Sequence, residues 1–169
     1  MRTCVLLLAL CLIALPAIPA VSAAGDETSQ LVTLWGAPGD GEGEFNGPYG
    51  IAADDSGNVY VVDESNFRIQ KFDASGTYRA MWGVEGYSAG GEFDHPTGIA
   101  ISPAGTVYVV DNYNHRVQVF DDTGEFLYLW GSYGTGNGEF NLPTDIAIDP
   151  SGNVYVTDYA NYRIQKFDS

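Results

Sequence analysis

Short apolar runs of two kinds alternate along residues 31–169, and turns rich in Gly, Asp, Ser and Pro separate them. One kind is built from small residues, as at 50–53, and the other is β-branched and aromatic, as at 59–62 and 68–72. Runs of this length and composition, punctuated by Gly turns, predict β-strands joined in hairpins. Because no stretch of this range keeps the helical period of about 3.6 residues, the pattern predicts an all-β protein.

The same block of strands and turns occurs three times. Its openings at Phe45, Phe93 and Phe140 are 48 and 47 residues apart, and Trp-Gly pairs recur in the same rhythm. A period in this range indicates a propeller blade or a solenoid unit. Small residues on the first strand and aromatic residues on the later strands favour the propeller, because blades are crowded near the axis and fan apart outside it.

The consensus of the block resembles the NHL repeat. It reads Pro-x-Gly-Ile-Ala, then Gly-Asn-Val-Tyr-Val, then Asp-x-x-Asn-x-Arg-Ile-Gln-Lys-Phe-Asp, then Trp-Gly, and it is clearest at 48–73. Asp145 departs from it, where the other blocks have Gly50 and Gly98. The resemblance implies a β-propeller of NHL type with three four-stranded blades, but it leaves function open because one scaffold hosts many functions. The blades would lie at about 45–83, 93–131 and 140–169.

Three blades are fewer than the roughly four to eight of a closed propeller. Residues 31–36 are predicted as a fourth strand with no blade before it, and this strand would complete the sheet of the last blade. Three arrangements are open: a homodimer that closes a six-bladed ring, a piece of a longer propeller, or an open arc. We favour the homodimer, because an arc leaves strand edges and apolar blade faces in water.

The N-terminus has the pattern of a secretory signal peptide at 1–23. Arg2 gives a positive start, an apolar run covers 5–15, and small residues at 21–23 form a cleavage site. We therefore expect a secreted protein with a short linker at 24–30, and an uncleaved N-terminal anchor is the alternative. Both cysteines fall inside the leader, so the mature chain would have no thiol.

The charge balance is strongly acidic, with 22 Asp and Glu against 7 Lys and Arg and a net charge of −15. Nucleic-acid binding needs a clustered basic surface, which this composition does not supply. Docking on an anionic lipid surface is disfavoured for the same reason. We expect no nucleic-acid partner and no direct membrane binding, and the charge favours cationic partners.

Two sets of loop residues are candidates for a role. Every block has an Asp five residues before an Arg, with an Asn between them, and we predict these pairs to be structural because repeats share their framework rather than their site. The pairs are Asp63 with Arg68, Asp111 with Arg116, and Asp158 with Arg163. The loop positions that differ between blocks are predicted to bind a partner, since exposed aromatics beside a fixed framework suit recognition. They are Glu64, Phe67, Tyr113, His115, Tyr159 and Tyr162.

The two histidines, His95 and His115, are expected on the same face of the second blade, with Asp94 nearby. They are candidates for a metal or acid/base site. Their ligand set is incomplete, so we assign no catalytic residue, metal or cofactor. The main prediction is a secreted module that binds a protein, peptide or glycan. The alternative, which the NHL resemblance implies through enzymes of similar fold that use His with Zn or Ca, is a secreted metal-dependent lyase or lactonase-type hydrolase.

Overall fold

Each repeat folds into an antiparallel sheet because its strands are joined by turns that close on themselves. In the first repeat the Asp54 carboxylate accepts hydrogen bonds from the backbone N–H groups of Ser56 and Asn58, both at 2.9 Å. Gly57 supplies the left-handed conformation of this turn with a φ of +81°. The Asx turn thus sets the hairpin between the first two strands of the sheet.

The computed structural model describes residues 29–168. Two blades have four hydrogen-bonded antiparallel strands, and each is preceded by a short parallel pair. In the first blade the elements are β1 (Ala37–Pro38), β2 (Glu44–Phe45), β3 (Pro48–Ala53), β4 (Val59–Asp63), β5 (Arg68–Phe72) and β6 (Tyr78–Trp82). In the second they are β7 (Val84–Glu85), β8 (Glu92–Phe93), β9 (Pro96–Ile101), β10 (Val107–Asp111), β11 (Arg116–Phe120) and β12 (Phe126–Trp130).

The third blade has three strands within the described residues. They are β13 (Pro143–Ile148), β14 (Val154–Asp158) and β15 (Arg163–Phe167), paired in that order. Single-turn 3₁₀ helices at Glu64–Asn66 and Tyr159–Asn161 follow β4 and β14. The prediction of an all-β protein with three repeats in antiparallel sheets is confirmed, and the described part of the chain does not form a closed ring.

The core lies between blades, where the sheets pack face to face. One cluster joins Val62 and Ile69 of the first blade to Ile99 and Val109 of the second. A second joins blades 2 and 3, and it contains Val110, Val117, Phe140, Ile146, Val154 and Val156. Because both faces of the middle blade are buried, β11 has no exposed residue.

A tryptophan at the end of each outer strand reaches over to the following blade. Trp82 lies 6.0 Å from Phe120, and Trp130 lies 5.6 Å from Phe167, measured between ring centroids. Trp35 makes the same contact with Phe72, at 6.0 Å. These aromatic contacts fill the widening gap between blades and stabilise their stacking.

Residues 31–36, which the sequence predicts as a strand that completes a blade, have no strand structure among the described residues, and the completion of the last sheet stays a prediction. The physical reason is the lack of a pairing strand: by its Trp35 contact the segment lies where an outer strand of a preceding blade would lie, and no described strand forms a ladder with it. Residues Val32–Ser169 form one compact unit. The predicted signal peptide at 1–23 and residues 24–28 of the predicted linker lie outside the described residues. Within residues 29–168 no helix is long and apolar enough to cross a membrane.

Candidate functional site

Two loops meet at the same end of every blade: the opening loop before the first strand, and the loop between the second and third strands. We call this edge the loop rim. Backbone hydrogen bonds join the two loops in each blade, from Ser65 to the Asn46 carbonyl at 3.0 Å and from Tyr113 to the Asp94 carbonyl at 3.1 Å in the first two. The rim comprises 46–47 with 64–67, 94–95 with 112–115, and 141–142 with 159–162.

A buried aspartate fixes each pair of rim loops from below. The Asp63 carboxylate is fully buried and accepts hydrogen bonds from Arg68 Nε at 2.7 Å, Asn66 Nδ2 at 2.9 Å and Gln70 Nε2 at 3.1 Å. It also accepts one from the Asn46 backbone N–H at 2.7 Å, which ties down the opening loop. Blades 2 and 3 repeat this arrangement through Asp111, Asn114, Arg116, Gln118 and the Asp94 N–H, and through Asp158, Asn161, Arg163, Gln165 and the Asn141 N–H.

The arginine of each set extends the framework into the loop that connects neighbouring blades. Arg68 donates to the carbonyls of Asp40, Gly41 and Glu44 at 2.5 to 3.0 Å. Arg116 and Arg163 contact the corresponding carbonyls of the next two connecting loops. The structure thus places every predicted Asp/Arg pair within a hydrogen-bond network that joins the rim loops to the connecting loop, and this placement favours a structural role for the pair.

Burial differs between these networks and moves the pKa of the carboxylates. Burial raises the pKa of Asp111 in the middle blade, although hydrogen bonds from the Asp94 N–H and Arg116 act against it. In the third blade desolvation acts in the same direction on Asp158. There it is outweighed by hydrogen bonds from the Asn141 N–H and the Asn161 and Arg163 side chains, and the pKa of Asp158 is lowered. The charged form of Asp111 is therefore less well stabilised, relative to its neutral form, than that of Asp158.

The glutamines of these networks were not among the candidates identified from the sequence. Gln70 and Gln118 are fully buried and bridge the aspartate to the connecting loop, where Gln70 accepts from the Gly43 N–H at 2.9 Å. Their signal was present as an identical residue at the third position of β5, β11 and β15. A polar residue repeated at the same strand position in every repeat indicates a shared internal partner.

Bulky residues occupy left-handed backbone conformations on the rim. Phe67, His115 and Tyr162 have φ values of 54°, 54° and 55°, and His95 and Leu142 in the opening loops have 49° and 51°. This conformation is uncommon for side chains other than Gly, Asn and Asp. Such strain persists where the surrounding structure imposes it, and it concentrates at ligand-binding edges.

The rim between blades 1 and 2 gathers an aromatic and acidic cluster around His95. Its imidazole stacks on Tyr113 at 4.4 Å between centroids and meets the Phe67 ring edge-on at 5.6 Å. Nδ1 lies 2.7 Å from Asp94 Oδ1, and Nε2 lies 3.7 Å from Glu64 Oε1. We call these five residues the His95 cluster. It combines flat ring faces with two carboxylates at a partly exposed edge, an arrangement that suits a cationic or aromatic ligand group.

His115 has different surroundings from His95. Its Nδ1 accepts a hydrogen bond from the Leu142 N–H at 3.0 Å, and its ring lies 5.0 Å from Tyr133. Desolvation lowers its pKa, although the Asp111 and Asp158 carboxylates act in the opposite direction. The two histidines proposed as one site are thus held by separate partners. Within residues 29–168 no group of three or more His, Cys, Asp or Glu side chains is arranged to hold a metal ion.

The rim of the third blade exposes its two predicted binding residues. Tyr159 and Tyr162 have no aromatic contact in the described structure, and Tyr162 is 96% exposed. Their equivalents in the first blade, Glu64 and Phe67, both contact His95 of the second blade. The difference follows from position, because the described chain has no blade after the third.

The opposite end of the blades forms a concave acidic surface, with a cavity of about 740 Å³ lined by turns from all three blades. Its aspartates include Asp54, Asp121 and Asp149, and each accepts hydrogen bonds from N–H groups of its own turn. These carboxylates stabilise the hairpins. The side chains that vary along the loop rim do not close hairpin turns in this way, so the rim is the better candidate site.

Comparison with known proteins agrees with this architecture. The NHL repeat family matches residues 45–72, 93–120 and 140–167. Protein lin-41 of Caenorhabditis elegans is 43% identical over 47 residues, which make up 28% of this chain and 4% of that protein.

Solved structures of similar fold include virginiamycin B lyase from Staphylococcus aureus, with a TM-score of 0.56 and 15% identity over 79% of this chain and 43% of the lyase. An auxiliary nutrient binding protein from Bacteroides thetaiotaomicron has a TM-score of 0.55 and 18% identity, over 69% of this chain and 36% of that protein. The chain therefore spans less than half of each of these proteins, and at such identities the likeness concerns the fold alone. Three matched repeats in antiparallel sheets, with propeller-like structural neighbours, show that this chain is an NHL repeat-containing protein.

Proposed function

We propose that the chain binds a protein or peptide on its loop rim, and that the segment seated on the His95 cluster is positively charged. One observation carries the proposal: Glu64 and Asp94 flank an imidazole that stacks on the exposed Tyr113 ring and meets the half-buried Phe67 ring edge-on. Aromatic faces attract guanidinium and ammonium groups, and neighbouring carboxylates strengthen that attraction.

The scaffold under the cluster supports a binding role. The Asp63 and Asp111 networks hold the three loops that carry it, so the rings lose little further freedom when a ligand binds. Preorganised aromatic anchors are the usual centres of binding energy at protein interfaces. The net charge of −15 would also steer a basic partner toward the chain.

Export through the predicted leader stays a prediction, and it would present this rim outside the cell. The alternative function, a metal-dependent lyase or hydrolase, also stays a prediction. Metal analysis of the purified chain, with melting in the presence of chelator, tests the enzymatic alternative. Stoichiometric Zn or Ca, together with a lower melting temperature in chelator, would favour it over a binding module.

Panning a random peptide library on the purified chain tests the proposal, followed by titration of a selected peptide by fluorescence anisotropy. Selected peptides should be enriched in Arg or Lys, and their affinity should fall with added salt. Glu64→Gln and Tyr113→Ala should each weaken binding about ten-fold. The matched controls are Asp55→Asn on the opposite acidic surface and Tyr128→Ala on β12, and both should bind normally.

Three results would contradict the proposal. Selected peptides without basic residues would remove the charge argument. Equal losses in the rim variants and the controls would show that the rim is not the site. A glycan array that gives specific hits, while the peptide library gives none, would assign the rim to carbohydrate instead.

A further inference from the structure

We propose that two copies of this chain associate head to tail, with the last blade of each copy seated on the first blade of the other. We call the side of a blade that packs on the preceding blade its leading face, and the side that packs on the following blade its trailing face. The leading face of blade 1 carries Phe45, Ile51, Val59, Val61 and Phe72, and the trailing face of blade 3 carries Tyr155, Thr157, Ile164 and Lys166. Their equivalents in the other blades form the two buried clusters between blades.

The trailing face of blade 3 nearly repeats a face that the chain already buries. Strands β5 and β15 share the sequence Arg-Ile-Gln-Lys-Phe, and β4 and β14 differ only at Val62 and Thr157. In blade 1 this surface is covered by blade 2, and Ile69 is 0% exposed. In blade 3 it is open, and Ile164 is 69% exposed. The same side chains are thus buried under blade 2 when they belong to blade 1, and exposed in the described structure when they belong to blade 3.

The leading face of blade 1 provides that cover. Ile51 occupies the position of Ile99 and Ile146, each 6% exposed against the preceding blade, but Ile51 itself is 66% exposed. A second copy placed with its blade 3 on this face would bring Ile164 toward Ile51, as the internal junction brings Ile69 toward Ile99. Exposed apolar faces that match a buried interface of the same protein mark an association surface.

A lysine at the edge of the trailing face also makes the same contact with a tyrosine ring in blades 1 and 3. Lys71 lies over the Tyr60 ring at 5.1 Å and donates to the Asp122 carbonyl of blade 2 at 2.6 Å. Lys166 lies over Tyr155 in the same way, at 5.2 Å. In the proposed pair it would donate to the Ala74 carbonyl of the partner, which is the equivalent of Asp122.

The segment at 31–35 completes the arrangement. Trp35 already contacts Phe72 as Trp82 contacts Phe120, and Trp82 belongs to an outer strand that pairs with the third strand of its own blade. In the proposed pair the segment would lie beside β15 of the partner, whose outer edge is unpaired in the described structure. Strand addition of this kind satisfies the free backbone groups of both partners.

Two copies supply six blades, within the range of about four to eight at which propellers close. A head-to-tail contact that closes after two copies yields a dimer with two identical junctions rather than an open fibre. The proposed junction is less tight than the internal ones at its inner strands. At the internal junction Gly98 lets β9 approach β13, because a Cβ on Gly98 would lie only 2.7 Å from the Asp145 Cα. In blade 3 the residue equivalent to Gly98 is Asp145, so the proposed junction has a side chain where the internal junction has none.

Sedimentation velocity of the full chain at micromolar concentration tests the proposal, with far-UV circular dichroism to verify folding. The chain should sediment at twice its monomer mass. Ile51→Asp and Ile164→Asp should each sediment as folded monomers, whereas the control Leu127→Asp, on the exposed face of β12, should remain dimeric. Asp145→Gly should lower the dimer dissociation constant several-fold, because it removes a charged carboxylate and a Cβ from the junction.

Mixing the two monomeric variants identifies the orientation. Ile51→Asp keeps an intact trailing face and Ile164→Asp an intact leading face, so their mixture should recover a dimer through one restored junction. A monomeric wild-type chain would overturn the proposal, and so would a mixture that stays monomeric. An Ile164→Asp variant that still dimerises would instead indicate a face-to-face contact between two leading faces. Misfolding of either single variant leaves the wild-type mass and the Asp145→Gly affinity as decisive measurements.

Discussion

Replacing Asp111 by Asn tests whether burial determines how much the repeated Asp/Arg pair contributes to the free energy of unfolding. Asp111 is fully buried, its partner Arg116 has only 8% of its side chain exposed, and their Nε to Oδ2 distance is 2.7 Å. The amide cannot balance the guanidinium, so the variant leaves a buried charge without its partner. The expected loss in the free energy of unfolding is about 3–5 kcal/mol.

The third blade offers a matched comparison, with the same Nε to Oδ2 distance and equivalent hydrogen-bond partners for the carboxylate. Arg163 is 28% exposed, and water can solvate its guanidinium when Asp158 is replaced by Asn. The expected loss is that of leaving a polar group without its partner, about 1–3 kcal/mol. Asp55→Asn, at an exposed turn, serves as the control for loss of one charge and should change stability by less than about 0.5 kcal/mol.

Urea unfolding followed by tryptophan fluorescence measures all three differences. The variants are compared in the Ile164→Asp background, so that the proposed association does not cover Arg163. An Asp158→Asn variant that loses as much stability as Asp111→Asn would refute the reasoning, because the two carboxylates have equivalent partners and their arginines differ in exposure. A loss below about 1 kcal/mol at Asp111 would show that the network does not depend on charge.

Two further predictions concern single positions in the blades. Gly124 and Gly105 both have positive φ, of +93° and +84°, but a Cβ at Gly124 would lie 2.6 Å from the Trp82 indole and one at Gly105 would touch nothing within 4 Å. In urea unfolding, Gly105→Ala should cost about 1–2 kcal/mol for the left-handed conformation, and Gly124→Ala should cost about 1–3 kcal/mol more for overpacking; equal losses would contradict the close packing. His115 has a lowered pKa, so the unfolded chain binds more protons than the folded chain as pH falls below about 6.5, and stability should decrease there. His115→Gln should flatten the change in urea midpoint between about pH 8 and about pH 5.5, and an unchanged slope would show that another group governs it.

The repeat made most of the architecture predictable from the sequence. Three copies of one pattern gave the strands of each blade, because every strand had two equivalents with the same spacing. In the structure the first two repeats form the four-stranded sheets β3–β6 and β9–β12. The segment at 31–36 has no strand structure in the single chain, since strand propensity alone does not supply the neighbouring strand that a ladder requires.

The candidate site was predictable only in part. Variation between blocks pointed to the rim positions, and the structure adds that Glu64, Phe67 and Tyr113 surround His95. The sequence could not separate His95 from His115, because contacts between neighbouring blades decide which imidazole stacks at an exposed edge and which accepts a backbone hydrogen bond. Spacing within one repeat carries no information on such contacts.

The third rim loop connects the candidate site to the proposed association. Phe67, His115 and Tyr162 all hold a left-handed backbone that Gly would adopt without steric cost, so an aromatic ring at this position must be supported by its contacts. Phe67 contacts His95, and His115 accepts a hydrogen bond from Leu142, so the first two rings are each held by the following blade. Tyr162 keeps the same strained backbone, and its ring contacts no following blade in the single chain. A partner blade on the trailing face would give Tyr162 the support that its two equivalents already have.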